Sequence, residues 1–158
     1  MPDLYARLEL KCPPLLLLLA AMGLSWLIGR MGDFGTLLSD RAAVALALVL
    51  ALAGVAVSVA GVLAFRRSGT SVDPTRPGRA SALVRHGIYR YTRNPMYLGF
   101  ALLLAGWGIF LGSVLACVPV PLFVAYLTRF QIMPEERVLL ARFGGEFAAY
   151  RAQVHRWL

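Results

Sequence analysis

Two short stretches carry the residue types from which a site could be built. The first is Gly87-Ile-Tyr-Arg-Tyr-Thr-Arg-Asn-Pro-Met-Tyr-Leu-Gly99, where an arginine-rich connection runs into an apolar segment. Asn94 before Pro95 is a helix-start signal, because Asn can cap free amide groups and proline at the first helical position loses no hydrogen bond. The spacing puts Arg90 and Arg93 on the water side and Met96, Tyr97 and Leu98 on the apolar side, a boundary at which a polar ligand could be held. The second stretch is Pro134-Glu135-Glu136. Carboxylates at a bilayer edge are costly unless paired, so these two ask for a cation, either an arginine of the first stretch or a cationic ligand. Tyr and Arg also belt membrane surfaces, and acids also open helices for dipole reasons, so neither stretch is specific by itself.

The elements that must position these residues are apolar helices. The chain has 158 residues, 59% hydrophobic and only 15% charged, too apolar for an ordinary soluble domain. The expected fold is an all-α integral membrane protein, a single domain over 1–158, with about four transmembrane helices at 15–28, 42–65, 95–111 and 114–130. The charged start before 15–28 reads as a first membrane helix rather than a signal peptide. Gly54 and Ser58, four apart, share a face on which another helix could approach closely, and Ala101, Ala105 and Gly108 offer further small surfaces. Gly112-Ser113 splits the third and fourth segments into a tight hairpin. At about 1.5 Å per residue, each hairpin arm reaches roughly 25 Å, short of a core of about 30 Å. Pro119 and Pro121 are positioned to kink the second arm.

The formal charge of +8 is carried almost entirely by arginine and lies in segments flanking the helices. Lipid attraction and topology account for that placement better than nucleic acid does. The 66–94 connection is expected to be a long cytoplasmic loop, with Ala82-Leu83-Val84 dipping back to the bilayer surface. Both termini are then cytoplasmic. Pro134 is expected to begin a separate amphipathic cytoplasmic helix, with Leu139, Phe143, Phe147, Tyr150 and Val154 in one stripe and a break at Gly144-Gly145. Cys12 and Cys117 lie far apart and read as free thiols. His86 and His155 are isolated, so no metal site is expected.

Taken together, the two stretches and the hairpin between them resemble the isoprenylcysteine carboxyl methyltransferase family and its phospholipid methyltransferase relatives. The pattern in that family is Tyr-x-x-x-Arg-His-Pro-x-Tyr, a helical hairpin, then Glu-Glu-x-x-Leu-x-x-x-Phe-Gly-x-x-Tyr-x-x-Tyr, and the resemblance covers about 63–158. The resemblance implies an S-adenosylmethionine-dependent methyltransferase of the bacterial inner membrane, acting on a lipophilic acceptor by in-line transfer of a methyl group. It implies cofactor contacts from Ser81, Ala82, Leu83, Val84, Tyr89, Asn94, Pro95, Met96, Tyr97 and Glu135. Glu135 and Glu136 are the candidate catalytic acids, orienting the acceptor or accepting a proton. Asn94 stands where the family has His, which leaves a binding role and removes a proton-transfer one. The family arginine that holds an acceptor carboxylate falls at Gln131, and Arg129, two residues earlier, points elsewhere. The named family substrate is therefore not carried over. Two other readings fit the same residues: an NADPH-dependent membrane reductase of related fold, and a non-enzymatic membrane scaffold or resistance accessory.

Overall fold

The structure, a computed structural model, describes residues 9–31, 35, 38–69 and 82–158. Among these residues there are α-helices and short helical turns, and no strand. The helices are α1 (Pro14–Gly29), α2 (Asp40–Arg67), α3 (Pro95–Phe110), α4 (Pro119–Tyr126) and α5 (Met133–Gln153). One 3₁₀ turn, Gly87–Arg90, precedes α3; a second, Val114–Cys117, precedes α4. A π-helical stretch, Leu127–Ile132, joins α4 to α5 without a break.

Local chemistry explains the boundaries. Pro14, Pro95 and Pro119 each stand in the first turn, where a missing amide hydrogen costs nothing. Asp40 opens α2 and Arg66 and Arg67 close it, each complementing the helix dipole. Gly112, at φ +71°, turns the chain out of α3. By length and composition, α2 and the continuous run Val114–Gln153 are long and apolar enough to cross a membrane; α1 and α3 are shorter apolar helices. Leu16, Leu19 and Leu27 on α1, and Leu48, Val49 and Leu52 on α2, are exposed, as lipid-facing residues would be.

The most extensive packing is between α2 and α3. Glycine makes it possible. A Cβ on Gly54 would lie 2.6 Å from the Gly99 carbonyl oxygen, and one on Gly106 would lie 2.9 Å from that of Ala47. A Cβ on Gly99 would collide with Ser58 Oγ and the Gly54 carbonyl. Ser58 Oγ instead donates to the Met96 carbonyl at 3.4 Å. The small-residue face read at Gly54 and Ser58 is thus the seat of α3. Its far end rests on Gly61, whose absent side chain leaves room for Pro95 and Met96. The core beside this seam gathers Leu18, Tyr97, Leu104, Phe123, Leu127 and Ile132.

Two expectations are corrected. Pro134 does not begin a new helix: Ile132 before it is helical, at φ −69° and ψ −48°. Proline lacks the amide that would bond the Phe130 carbonyl, and its ring crowds that carbonyl. The helix absorbs the misfit as a π turn, and Phe130 O accepts the Leu10 amide instead, at 3.1 Å. Nor does Val84 lie on a bilayer surface; it is buried with Ala64 and Tyr89 against the end of α2. The break at Gly144 is present, at φ +50° and ψ −122°, so the helix changes direction there. Beyond it, Phe147 and Tyr150 bury the apolar stripe.

The seam makes a direct prediction. Gly99→Ala should lower stability by about 1–3 kcal/mol, because the displaced atoms are backbone and a short side chain. Gly23→Ala on α1, where nothing lies within 4 Å, should be neutral or slightly stabilising. Thermal unfolding of the two variants in detergent checks both; equal midpoints would contradict the close approach.

Candidate functional site

The site begins at the joint between the loop and α3. Gly87, at φ +62°, lets the chain fold into the 3₁₀ turn. That turn buries Tyr89 edge-on to Phe65, with ring centroids 5.3 Å apart. Tyr150 of α5 donates its hydroxyl to the Tyr89 carbonyl at 2.7 Å. Thr92, fully buried, accepts the Asn94 amide at 3.2 Å. Asn94 precedes α3 as expected, but its side chain makes no cap. Its Nδ2 donates to the Arg156 carbonyl at 2.9 Å, so the amide serves the C-terminal segment in place of the helix end.

Arg93, expected on the water side, has a side chain only 9% exposed. Burial pulls its pKa below the ordinary value, and Glu136 pulls it back up. Arg93 Nη2 meets Glu136 Oε1 at 2.8 Å. Arg156 holds the same carboxylate through Nε at 3.0 Å and Nη2 at 2.7 Å, and that pairing raises the Arg156 pKa. One buried carboxylate therefore binds two guanidiniums and ties the joint, α5 and the C-terminal segment together.

Glu135 faces the other way, into a polar trio. Tyr97 OH donates to Glu135 Oε1 at 2.5 Å, and Gln131 Nε2 donates to the same oxygen at 2.6 Å. Both donors are buried. Among the described residues no hydrogen bond reaches Glu135 Oε2. The π turn contributes here, since it ends three residues before Glu135 and carries Gln131 into the trio. Arg129 is drawn off to Glu9 at 2.9 Å, and Arg137 pairs with the same carboxylate. Glu9 and Glu136 between them thus engage four arginines around the trio.

The remaining sequence candidates fall in place around these groups. Pro95 is buried and Met96 half-buried against α2; Ala82 and Leu83 are half-buried and Val84 buried beside Tyr89. Ser81 lies outside the described residues. A separate apolar cleft of about 220 Å³, lined by Leu46, Ile109, Val114 and Cys117 among others, includes none of the candidates. Sequence reasoning passed over Thr92, Arg156 and Trp157. One usable signal was charge balance: two adjacent acids on an apolar helix need nearby cations, and Arg156 stands beyond the last helix.

The phospholipid methyltransferase family profile matches residues 42–146, about two thirds of the chain. The chain belongs to this family. The match runs from α2 through the joint, the hairpin and both glutamates. A protein-S-isoprenylcysteine O-methyltransferase of Schizosaccharomyces pombe is 36% identical over 91 residues, 56% of this chain and 37% of that protein. A "Probable protein-S-isoprenylcysteine O-methyltransferase" of Oryza sativa is 32% identical over 114 residues, 70% of this chain and 58% of that protein. An uncharacterized protein of Haemophilus influenzae is 41% identical over 63 residues, 40% of this chain and 100% of that protein. The chain thus spans little more than half the length, or less, of the methyltransferases it matches. No solved structure is matched. The resemblance read from Tyr89 to Tyr97 and from Glu135 to Tyr150 is borne out at the level of the family.

Two predictions follow from the charges. Glu136→Gln leaves Arg93 buried without its counter-ion and should cost about 3 kcal/mol. Glu146→Gln breaks a bridge to Arg85 whose partners are both about half exposed, and should cost under about 1 kcal/mol. Denaturant titration of each distinguishes them. For Glu9, the hydrogen bond from Arg129 holds the carboxyl below its ordinary value of 4.5. Its contribution is present above that value and is lost as pH falls through the depressed folded one. Exchange protection of the Leu10 amide should therefore decline as the pH falls through the depressed folded value, and Glu9→Gln should remove this pH dependence.

Proposed function

We propose that the chain is an S-adenosylmethionine-dependent methyltransferase of the bacterial inner membrane, acting on a lipophilic acceptor. The observation that carries this reading is the Tyr97–Glu135–Gln131 trio, formed by the motifs that the family match covers. The relatives named for S-isoprenylcysteine, and the family named for phospholipid, support an acceptor with a lipid portion. In the proposed arrangement four helical segments cross the membrane, with the joint, both termini and the 66–94 loop on the cytoplasmic side. The arginines flanking the helices support that orientation.

The chemistry of the residues fits the cofactor. S-adenosylmethionine, when bound, supplies a methyl group on a cationic sulfonium and carries an ammonium. Among the described residues Glu135 offers a carboxylate oxygen without a donor, which suits a cation. Tyr97 and Gln131 hold the other oxygen and so orient the carboxylate. Tyr89 and Tyr97 offer aromatic faces, and Ala82, Leu83 and Val84, next to Tyr89, are assigned to the cofactor side, with Ser81 assigned there on the family resemblance alone; Asn94, Pro95 and Met96 set the start of α3. Gln131, neutral at the base of the trio, is assigned to the acceptor side. Arg129 is engaged by Glu9 and is not. Glu136, engaged by two arginines, is assigned to holding the site together and not to proton transfer. No metal takes part in this reading.

Binding tests the proposal. S-adenosylhomocysteine should raise the unfolding midpoint of the protein by mass action, and NADPH should not. Glu135→Ala should weaken S-adenosylhomocysteine at least tenfold. Tyr97→Phe should retain more affinity than Tyr97→Ala, since it keeps the ring. Stabilisation by NADPH alone would replace the methyltransferase reading with the reductase one.

A further inference from the structure

Beyond the family match, which ends at residue 146, the chain performs a manoeuvre with no role yet assigned. Val154 leaves α5 in an extended conformation, at φ −123° and ψ 132°, and 154–158 runs back across the joint. The His155 carbonyl accepts the Arg93 amide at 3.1 Å. The Arg156 carbonyl accepts Asn94 Nδ2 at 2.9 Å and Thr92 Oγ1 at 3.4 Å, while its guanidinium grips both oxygens of Glu136. Trp157 Nε1 donates to Thr128 Oγ1 at 3.1 Å, and its ring packs on the cluster that contains Tyr97, Leu127 and Ile132.

These contacts reach each of the three elements that supply the polar trio. Thr92 to Asn94 open the helix that carries Tyr97. Thr128 lies in the π turn that carries Gln131. Glu136 adjoins Glu135. A trio closed at 2.5 and 2.6 Å tolerates little drift, because hydrogen bonds weaken steeply when stretched or bent, and a working constellation must be held to within about 0.5 Å. We propose that Arg156 is a positioning residue: with Trp157, it sets the spacing of Tyr97, Gln131 and Glu135 from outside the site. Its ligand-binding consequence rests on the methyltransferase reading; its geometric consequence does not.

The experiment uses the full chain in detergent, with ¹³Cζ-labelled tyrosine and NMR. Tyr97→Phe assigns the Tyr97 signal, and exposed Tyr91 marks the position of a tyrosine bonded to water. In Arg156→Ala the Tyr97 signal should move toward that of Tyr91, and S-adenosylhomocysteine affinity should fall at least tenfold. Arg156→Lys should recover at least half of the signal shift. A merely structural arginine would lower the unfolding midpoint while leaving the Tyr97 signal of the folded protein where it was. An unmoved Tyr97 signal in folded Arg156→Ala therefore overturns the proposal. If that variant fails to fold, Trp157→Phe, which removes the bond to Thr128 and part of the ring's packing while keeping an aromatic side chain, carries the same test: a moved signal supports the proposal and an unmoved one overturns it. Should the wild-type protein not bind S-adenosylhomocysteine, the methyl-donor reading falls, and the tyrosine signal still decides the positioning role.

Discussion

The arrangement turns on a carboxylate buried between two guanidiniums. Removing Glu136 and Arg93 from water costs several kcal/mol per ion, and their attraction to each other and to the partly exposed Arg156 returns that only in good geometry. Here the geometry is good: three charge-assisted contacts between 2.7 and 3.0 Å, two of them from a single guanidinium. Such a cluster adds little net stability over an apolar substitute, yet it tolerates few alternative arrangements, since any other leaves a charge unpaired. Its value to the fold is register. It fixes where the loop–α3 joint, α5 and the C-terminal segment meet, and the polar trio forms one residue away.

Backbone chemistry brings the charges to that meeting point. Glycines at 54, 99 and 106 let α2 and α3 touch backbone to backbone, so the start of α3 has one seat along α2. On the opposite side, Pro134 withholds an amide and opens a π turn. The freed carbonyl is taken up by Leu10, and Glu9 beside it neutralises Arg129 and Arg137. The arginines that could have crowded a cationic ligand are thereby held by acids of the protein itself.

Much of this was legible in the residues, because some steric rules act locally. The apolar helices, the hairpin at Gly112, the break at Gly144 and the Gly54–Ser58 face follow from side-chain size and backbone freedom alone. The meeting of the Asn94-Pro95 joint with the twin glutamates was legible only as a pattern of motifs. What the residues did not disclose were choices among equivalent partners. Asn94 could cap a helix or hold a carbonyl, and only the returning C-terminal segment decides it. Arg93 looked wet because nothing local marks the carboxylate that buries it. Pro134 looked like a helix start because proline at N1 and proline at a π turn share one sequence signature, and the difference lies in whether the preceding helix stops. The two adjacent acids looked equivalent, although Glu136 holds two arginines and Glu135 accepts from Tyr97 and Gln131.

The central claim is that this constellation works on a methyl donor and a lipophilic acceptor together. The most direct measurement is transfer of a radiolabelled methyl group from S-adenosylmethionine into a total lipid extract by the purified protein, with the labelled species then identified. The account predicts label in a lipid-soluble product with the wild-type chain, and none above background with Glu135→Ala. A folded wild-type protein that transfers no label, or a Glu135→Ala variant that transfers as much as wild type, would contradict it.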